Sequence, residues 1–190
     1  TASRARLARF GNPRAWLRAR LAEPVDPPIM PVGAITPNAV WASQRQTSSN
    51  ELLGSSNGQA SQVFFTRDTP VLPGEIVEIR ELEGARANVE YELLRRELLD
   101  AGGTDADLRV VRNPRTLQIS EVWTRWRPQR TLLFSGPTDR HFAVERTRGR
   151  VLFGDDLHGR IPPSGTDNVR IVRYASGGGV IGNVPLGAIS

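Results

Sequence analysis

Turn-forming residues interrupt the second half of the chain at short, regular intervals, and this spacing constrains the fold more than any other feature. From residue 108 onward, the segments between the turns are long enough only for strands, which we predict at residues 108–112, 117–126, 131–134, 141–146, 150–153 and 169–174. The turn clusters include Ser135–Pro137, Thr147–Gly149, Gly154–Gly159 and Pro162–Gly165. The pattern predicts a mainly β fold of the α+β class, with antiparallel sheets or a sandwich and long ordered loops.

The middle of the chain predicts further strands and one helix. Strands are predicted at residues 63–67 and 76–82, on either side of a turn at Pro70–Gly74. Residues 43–62 are rich in Ser, Gln and Asn and predict an ordered loop or a long hairpin tip. A helix is predicted near residues 88–101, with an apolar stripe of Tyr91, Leu94, Leu98 and Ala101, and with Glu92 and Arg96 spaced for an ion pair.

The first 49 residues differ in composition from the rest. Residues 1–22 include six Arg and predict a basic helical segment. A mitochondrial transit peptide has a similar composition. We favour the alternative that the chain is a piece of a longer polypeptide. Five prolines between Glu23 and Pro37 favour an extended arm over residues 23–49. We therefore divide the chain into a helical segment at 1–22, a Pro-rich arm at 23–49 and a β-rich domain at 50–190.

Composition and charge exclude several classes of function. The chain has no Cys, so a disulfide framework, a thiolate metal site and a Cys nucleophile are excluded. No apolar run approaches about 18 residues, so we predict no membrane span. The net charge is +5, but residues 21–190 contain 19 Arg against 20 Asp and Glu, and we expect no specific nucleic-acid partner.

No motif provides a convincing catalytic or cofactor site. Gly177–Gly182 has the G-x-G-x-x-G spacing, but the Pro185 that follows is incompatible with the helix that would hold a pyrophosphate. His141 and His158 lack the spacing of a helical zinc motif, although a Ca²⁺ site in the Asp155–Asp156 loop stays open. The chain has no G-x-S-x-G elbow. We expect neither enzymatic activity nor a cofactor, and we assign no metal ligands.

A string of short motifs runs through residues 50–190. These motifs are Leu53–Gln59, Thr69–Gly74, Glu121–Trp126, Ser135–Phe142, Gly149–Asp155, His158–Pro163, Tyr174 and Gly177–Val184. In order and spacing they resemble the baseplate J-like wedge family, the baseplate assembly proteins of contractile injection systems and contractile-tailed phages. One departure is Asp156, where the family's Phe-Gly-Asp-Gly turn has its second glycine. We expect the turn to survive, because Asp tolerates a left-handed backbone better than most residues.

The resemblance implies a structural wedge component that assembles around the tail hub. The implied partners are a second wedge protein, hub or spike subunits and sheath-side subunits, in a ring-forming hetero-oligomer. Assembly in the cytoplasm and incorporation into a virion-like or injection-system particle are implied as well. Wedge proteins of this family are longer than 190 residues, so the chain resembles an excised portion of one.

Contact surfaces are predicted in the Pro-rich arm and in three loops, because Gly and Pro fix unusual backbone paths there. The candidate residues are Gly54, Asn57, Gly58, Asp155, Asp156, His158, Arg160, Gly177, Gly178, Gly179, Gly182 and Asn183.

The alternative function is a non-catalytic binding module for nucleic acid or carbohydrate on a β scaffold. An aromatic and basic face for single strands would be formed by Trp123, Trp126, Phe134, Phe142, Phe153 and Tyr174 with Arg125, Arg127 and Arg130. Burial preferences favour inward packing of these aromatic side chains instead.

Overall fold

The computed structural model describes residues 44–178 and, closer to the amino terminus, the backbone of residues 3–5 and 14–16. The chain divides into two compact units, Thr1–Trp41 and Ala42–Ser190. Most of the predicted Pro-rich arm, residues 23–43, lies outside the described residues, whereas residues 46–49 belong to the first strand of the second unit.

The described residues of the first unit are strands. β1 (Ser3–Ala5) pairs antiparallel with β2 (Arg14–Trp16), so the predicted helix is wrong for these residues. The prediction relied on the helix propensity of Arg, Ala and Leu, which is a weak preference that strand pairing overrides. The sequence Gly11–Pro13 also interrupts any continuous helix through this segment.

The second unit is built on an eight-stranded sheet. Its strands are β3 (Gln46–Ser56), β4 (Val63–Phe65), β5 (Val71–Glu83), β6 (Leu108–Arg112), β7 (Ile119–Gln129), β8 (His141–Glu145), β9 (Arg150–Phe153) and β10 (Gly165–Ser176). Their order is β3-β10-β5-β7-β8-β9-β4, with β6 also paired to β7, and among these pairs only β7 and β8 run parallel. Helix α1 (Ala85–Asp100) and short 3₁₀ turns at Asp105–Asp107 and Leu132–Phe134 complete the described part of this unit. The predicted mainly β, α+β class is confirmed.

Side chains alternate between the two faces of each strand, and the buried apolar ones pack in two clusters. In β5, Val77 and Ile79 are fully buried, and the intervening Glu78 points to the other face of the sheet. The larger cluster consists of Val71, Val77, Ile79, Trp126, Phe142, Val151, Phe153, Val169, Ile171 and Tyr174. The smaller one lies beneath α1 and consists of Leu82, Ala87, Leu94, Ile119 and Val122.

Helix α1 begins three residues before its predicted start. Leu94 and Leu98 are buried, which confirms the core role of these two stripe positions, while Ala101 lies beyond the helix and is exposed. The helix is terminated by Gly102, which has a left-handed φ of 77°. The N–H of Gly103 then donates to the carbonyl of Leu98, and a Cβ at Gly103 would lie 2.7 Å from the Leu98 side chain. The predicted ion pair between Glu92 and Arg96 does not form; within the helix Arg86 pairs with Glu90, and Arg95 pairs with Asp105 beyond it.

Three local predictions differ from the structure. Residues 46–56 form strand β3 instead of a loop, because full-length pairing with β10 outweighs the low strand propensity of Ser, Gln and Asn. The predicted turn at Pro70–Gly74 is mostly strand, with the irregular register of a bulge and Gly74 at φ 106. The predicted strand at 131–134 is a 3₁₀ turn, in which the Thr131 side chain accepts the N–H of Leu133.

Strand β10 lies at the centre of this arrangement. It pairs with β3 from Gly165 to Ser176 on one side and with β5 from Val169 to Ser176 on the other. Gly165 lies opposite Ser56 at one end, and Ser176 lies opposite Gln46 at the other. The twelve residues of β10 span roughly 36 Å at the usual rise per strand residue.

Candidate interaction surfaces

The described candidate residues fall into groups at the two ends of β10. Gly58, Asp156 and Arg160 line a cleft of about 780 Å³, which also includes Pro137, Pro162 and Pro163 and is called the proline cleft below. Gly177 and Gly178 line a second cleft of about 510 Å³ with Gln44, Arg45, Arg67 and Asp68, called the glycine cleft. Gly179, Gly182 and Asn183 lie outside the described residues.

The Asp155–Arg160 loop is shaped by its two carboxylates. Asp155 Oδ1 accepts the N–H groups of Leu157 at 3.0 Å and His158 at 2.6 Å, and these bonds hold the pKa of Asp155 below its usual range. Asp156 has a left-handed φ of 66°, and its Oδ1 accepts the N–H of Ile161 at 3.1 Å. The turn therefore accommodates Asp156 in the position where the resembling family has glycine.

Residues 54–59 are fastened to the proline cleft by buried polar side chains. The predicted loop begins too early, because Gly54 lies in strand β3, opposite Val169 of β10. Ser56 Oγ donates to the carbonyl of Pro162 at 2.8 Å. Asn168 is 1% exposed; it accepts the N–H of Ser56 and donates to the carbonyl of Pro163, both at 2.8 Å. Asn57 remains exposed, and Gly58 has a φ of 72°. Sequence reasoning missed Asn168, because no local pattern separates it from an ordinary turn residue.

A network of ion pairs reaches the proline cleft through Glu97 and Arg160, which line it. Arg140 Nε lies 2.7 Å from Glu81 Oε1 and its Nη2 lies 3.2 Å from Glu97 Oε1. Arg160 also pairs with Glu97, so the network ties α1 to β5 and to two loops. Burial acts to lower the pKa of Arg140, but Glu81 and Glu97 outweigh it and raise that pKa. Of these four residues, sequence analysis selected only Arg160.

Burial and the neighbouring arginines have opposite effects on the pKa of Glu97. Burial acts to raise the pKa of this carboxyl, but the hydrogen bonds and positive charges of Arg160 and Arg140 outweigh burial and lower it. Glu97 is therefore ionised as part of the network across the neutral range.

The glycine cleft is supported by Tyr174. Its hydroxyl donates to Glu51 Oε2 at 2.7 Å and accepts the N–H of Asp68 at 3.1 Å. Burial and the Glu51 carboxylate raise the pKa of Tyr174 to about 12. At Gly177 a Cβ would lie 2.7 Å from the carbonyl oxygen of Gln44, so the close approach of these two segments requires glycine.

The two histidines belong to different local networks. His141 Nδ1 lies 2.9 Å from Ser135 Oγ and 3.6 Å from Asp139 Oδ2, so both partners face the same ring nitrogen, unlike the arrangement in a Ser-His-Asp relay. Burial, aided by Arg127, lowers the pKa of His141. His158 contacts Asp155 in the exposed loop. Within residues 44–178, no group of three or more His, Asp or Glu is arranged as a metal site.

The proposed aromatic face is mostly interior. Trp123, Trp126, Phe142, Phe153 and Tyr174 are buried, and only Phe134 among the six aromatic candidates is exposed, at 88%. The guanidinium groups of Arg80, Arg109 and Arg170 cover the Trp123 ring at 4.5 to 5.4 Å from its centroid. Inward packing is therefore confirmed for Trp126, Phe142, Phe153 and Tyr174, which belong to the larger core cluster. Trp123 is buried beneath arginine side chains instead, so none of these five rings is available for stacking on bases.

Comparison of the chain with protein-family models, with curated proteins and with solved structures finds no match. The resemblance over residues 50–190 thus continues to rest on its motifs alone. In the part of the chain that the structure describes, no helix has the length and apolar character needed to cross a membrane.

Proposed function

We propose that this chain is a structural component of a baseplate wedge in a phage-tail-like contractile injection system, and that it works by contact with other wedge, hub and sheath-side subunits. The observation that carries the proposal is the position of the proline cleft and the glycine cleft at opposite ends of β10. These clefts contain residues from the motifs that resemble the wedge family.

A subunit in a closed ring or a radial connection touches different neighbours with different surfaces. The two clefts suit this requirement, because they differ in lining and are separated by roughly 36 Å of strand. β10 is hydrogen-bonded on both sides, so it holds the clefts at a fixed distance. No chemical step is part of this role.

Contacts within the chain restrain the walls of the proline cleft. Asn168, Ser56 and Asp156 fix the backbone of the loops, and Pro162 and Pro163 restrict it further. A surface that is already ordered loses little conformational entropy on association, which favours stable assembly.

The proposal is tested by affinity purification of the protein from its native host, followed by negative-stain imaging of the assemblies that co-purify. Ser164→Arg changes an exposed residue of the proline cleft, and Gln46→Arg changes one of the glycine cleft. Thr147→Arg, in the exposed turn between β8 and β9, is the matched control. We expect each cleft variant to lose a different neighbour and the control to retain both.

Recovery of nucleic acid alone, or retention of every subunit by both cleft variants, would show that the chain is not a wedge scaffold of this kind. Circular dichroism of the purified variants checks that each remains folded.

A further inference from the structure

The proline cleft continues as a groove along α1. A neighbouring cavity of about 160 Å³ shares Glu97, Arg160 and Pro163 with the cleft and extends to Glu90 and Leu93. The combined surface, called the α1 groove, therefore runs from the middle of the helix to the Asp156 loop. The α1 groove suits a chain segment better than a compact small molecule, because its lining comes from α1, from the Asp156 loop and from residues 160–164.

Large apolar side chains border one part of the α1 groove. Leu93 is 68% exposed and lies in its lining, and Val89, one helical turn earlier, is 79% exposed. Ile161 and the two prolines Pro162 and Pro163 provide the opposite wall. Exposed apolar residues grouped beside a groove are characteristic of surfaces that a partner covers.

The charges of the α1 groove are mostly neutralised internally. Glu90 pairs with Arg86 at 2.8 Å, Glu81 pairs with the buried Arg140, and Glu97 pairs with Arg160. Asp156 differs, because its hydrogen bond within the described residues comes from the N–H of Ile161 and no described cation pairs with it. The adjacent Asp155 contacts only backbone N–H groups and His158. Negative charge thus remains at one end of the groove.

We propose that the α1 groove binds an extended segment of a neighbouring subunit, one with apolar side chains at the Leu93 end and an Arg or Lys at the Asp156 end. This inference rests on the proposed function and specifies the partner chemistry for the proline cleft. The apolar side chains cover Leu93 and Ile161, and the basic side chain supplies the cation that Asp156 lacks. Charge complementarity fixes the direction in which the segment lies.

The test uses the full chain and two short synthetic peptides of alternating leucine and serine, one ending in two arginines and the other in two glutamates. Fluorescence anisotropy measures their binding at low and high salt. We expect the arginine peptide to bind more tightly, and added salt to weaken its binding. Asp156→Asn keeps an oxygen for the Ile161 N–H and suits the left-handed backbone, so it removes only the charge.

Asp156→Asn should weaken binding of the arginine peptide by about twofold to fivefold, as expected for one exposed ion pair. Asp167→Asn is the matched control, because Asp167 is also exposed with a positive φ but lies outside the groove. Leu93→Ser should weaken both peptides. Equal binding of the two peptides, no binding, or equal effects of the two Asp substitutions would overturn the inference.

A preference for single-stranded DNA over the arginine peptide, lost on changing the groove, would also overturn it. These outcomes are separable from failure of the proposed function: if subunits co-purify normally but the peptides do not discriminate, only the inference about partner chemistry fails.

Discussion

Replacing Arg140 by Met would remove the nearer counter-charge of the buried Glu81 carboxylate and leave only Arg160 Nη2, 4.0 Å from Glu81 Oε2. The Arg140 and Glu81 side chains are 6% and 4% exposed, and Arg140 donates to both oxygens of Glu81, at 2.7 and 3.0 Å. Removing one partner of a buried ion pair costs about 3–5 kcal/mol, since the remaining charge keeps its desolvation penalty. With a urea dependence of about 2 kcal/mol per molar, the unfolding midpoint should fall by about 1.5–2.5 M.

Urea unfolding followed by tryptophan fluorescence measures this change. Arg86→Met is the matched control, because it removes the same group from an exposed pair with Glu90 and should move the midpoint very little. The double substitution Glu81→Gln with Arg140→Met should recover part of the lost stability, because it also removes the buried negative charge of Glu81. If Arg140→Met lowers the midpoint no more than Arg86→Met, the ion pairs beneath the proline cleft do not stabilise the fold and the reasoning is refuted.

Two further predictions concern the same end of the molecule. The lowered pKa of Glu97 contributes stability above its unfolded pKa, near 4.5, and this contribution is lost as the pH falls through the folded value. Glu97→Gln should therefore flatten the dependence of the urea midpoint on pH below about 5; an unchanged slope would contradict the assignment. Asn168→Ala removes the partners of Ser56 and Pro163 and should cost about 1–3 kcal/mol, with faster hydrogen exchange at the Ser56 amide. Asp167→Asn, which suits the left-handed backbone at that position, is its control, and equal exchange in both variants would show that Asn168 does not hold the loop.

Local patterns predicted the elements whose own side chains decide their conformation. Val77 and Ile79 alternate with Glu78 because only one face of β5 packs in the apolar core, while Glu78 is buried among arginines on the other face, and this period is visible in the sequence. Helix α1 was found because Leu94 and Leu98 share a face and two glycines follow it. β3 was missed because its Ser, Gln and Asn residues are ordered by β10, more than 100 positions away in the chain.

The candidate surfaces were only partly predictable, because they too depend on contacts between distant parts of the chain. Glycine and proline loops identify Gly58 and Arg160 singly, but only the sheet order brings them to one end of β10. The pairing of Glu81 with Arg140 joins residues on β5 and on the loop before β8, and neither position has a local signal. These residues come together through strand pairing between distant parts of the chain. No short segment of the sequence shows which strands will pair.

The double pairing of β10 has a mechanical consequence. Backbone hydrogen bonds of antiparallel strands lie across the strand direction. A force applied between the proline cleft and the glycine cleft would act along β10, and it would load the bonds to β3 and β5 together in shear. Rupture would then require many bonds to break at once instead of opening one after another. A strand held in this way transmits tension between its two ends with little extension.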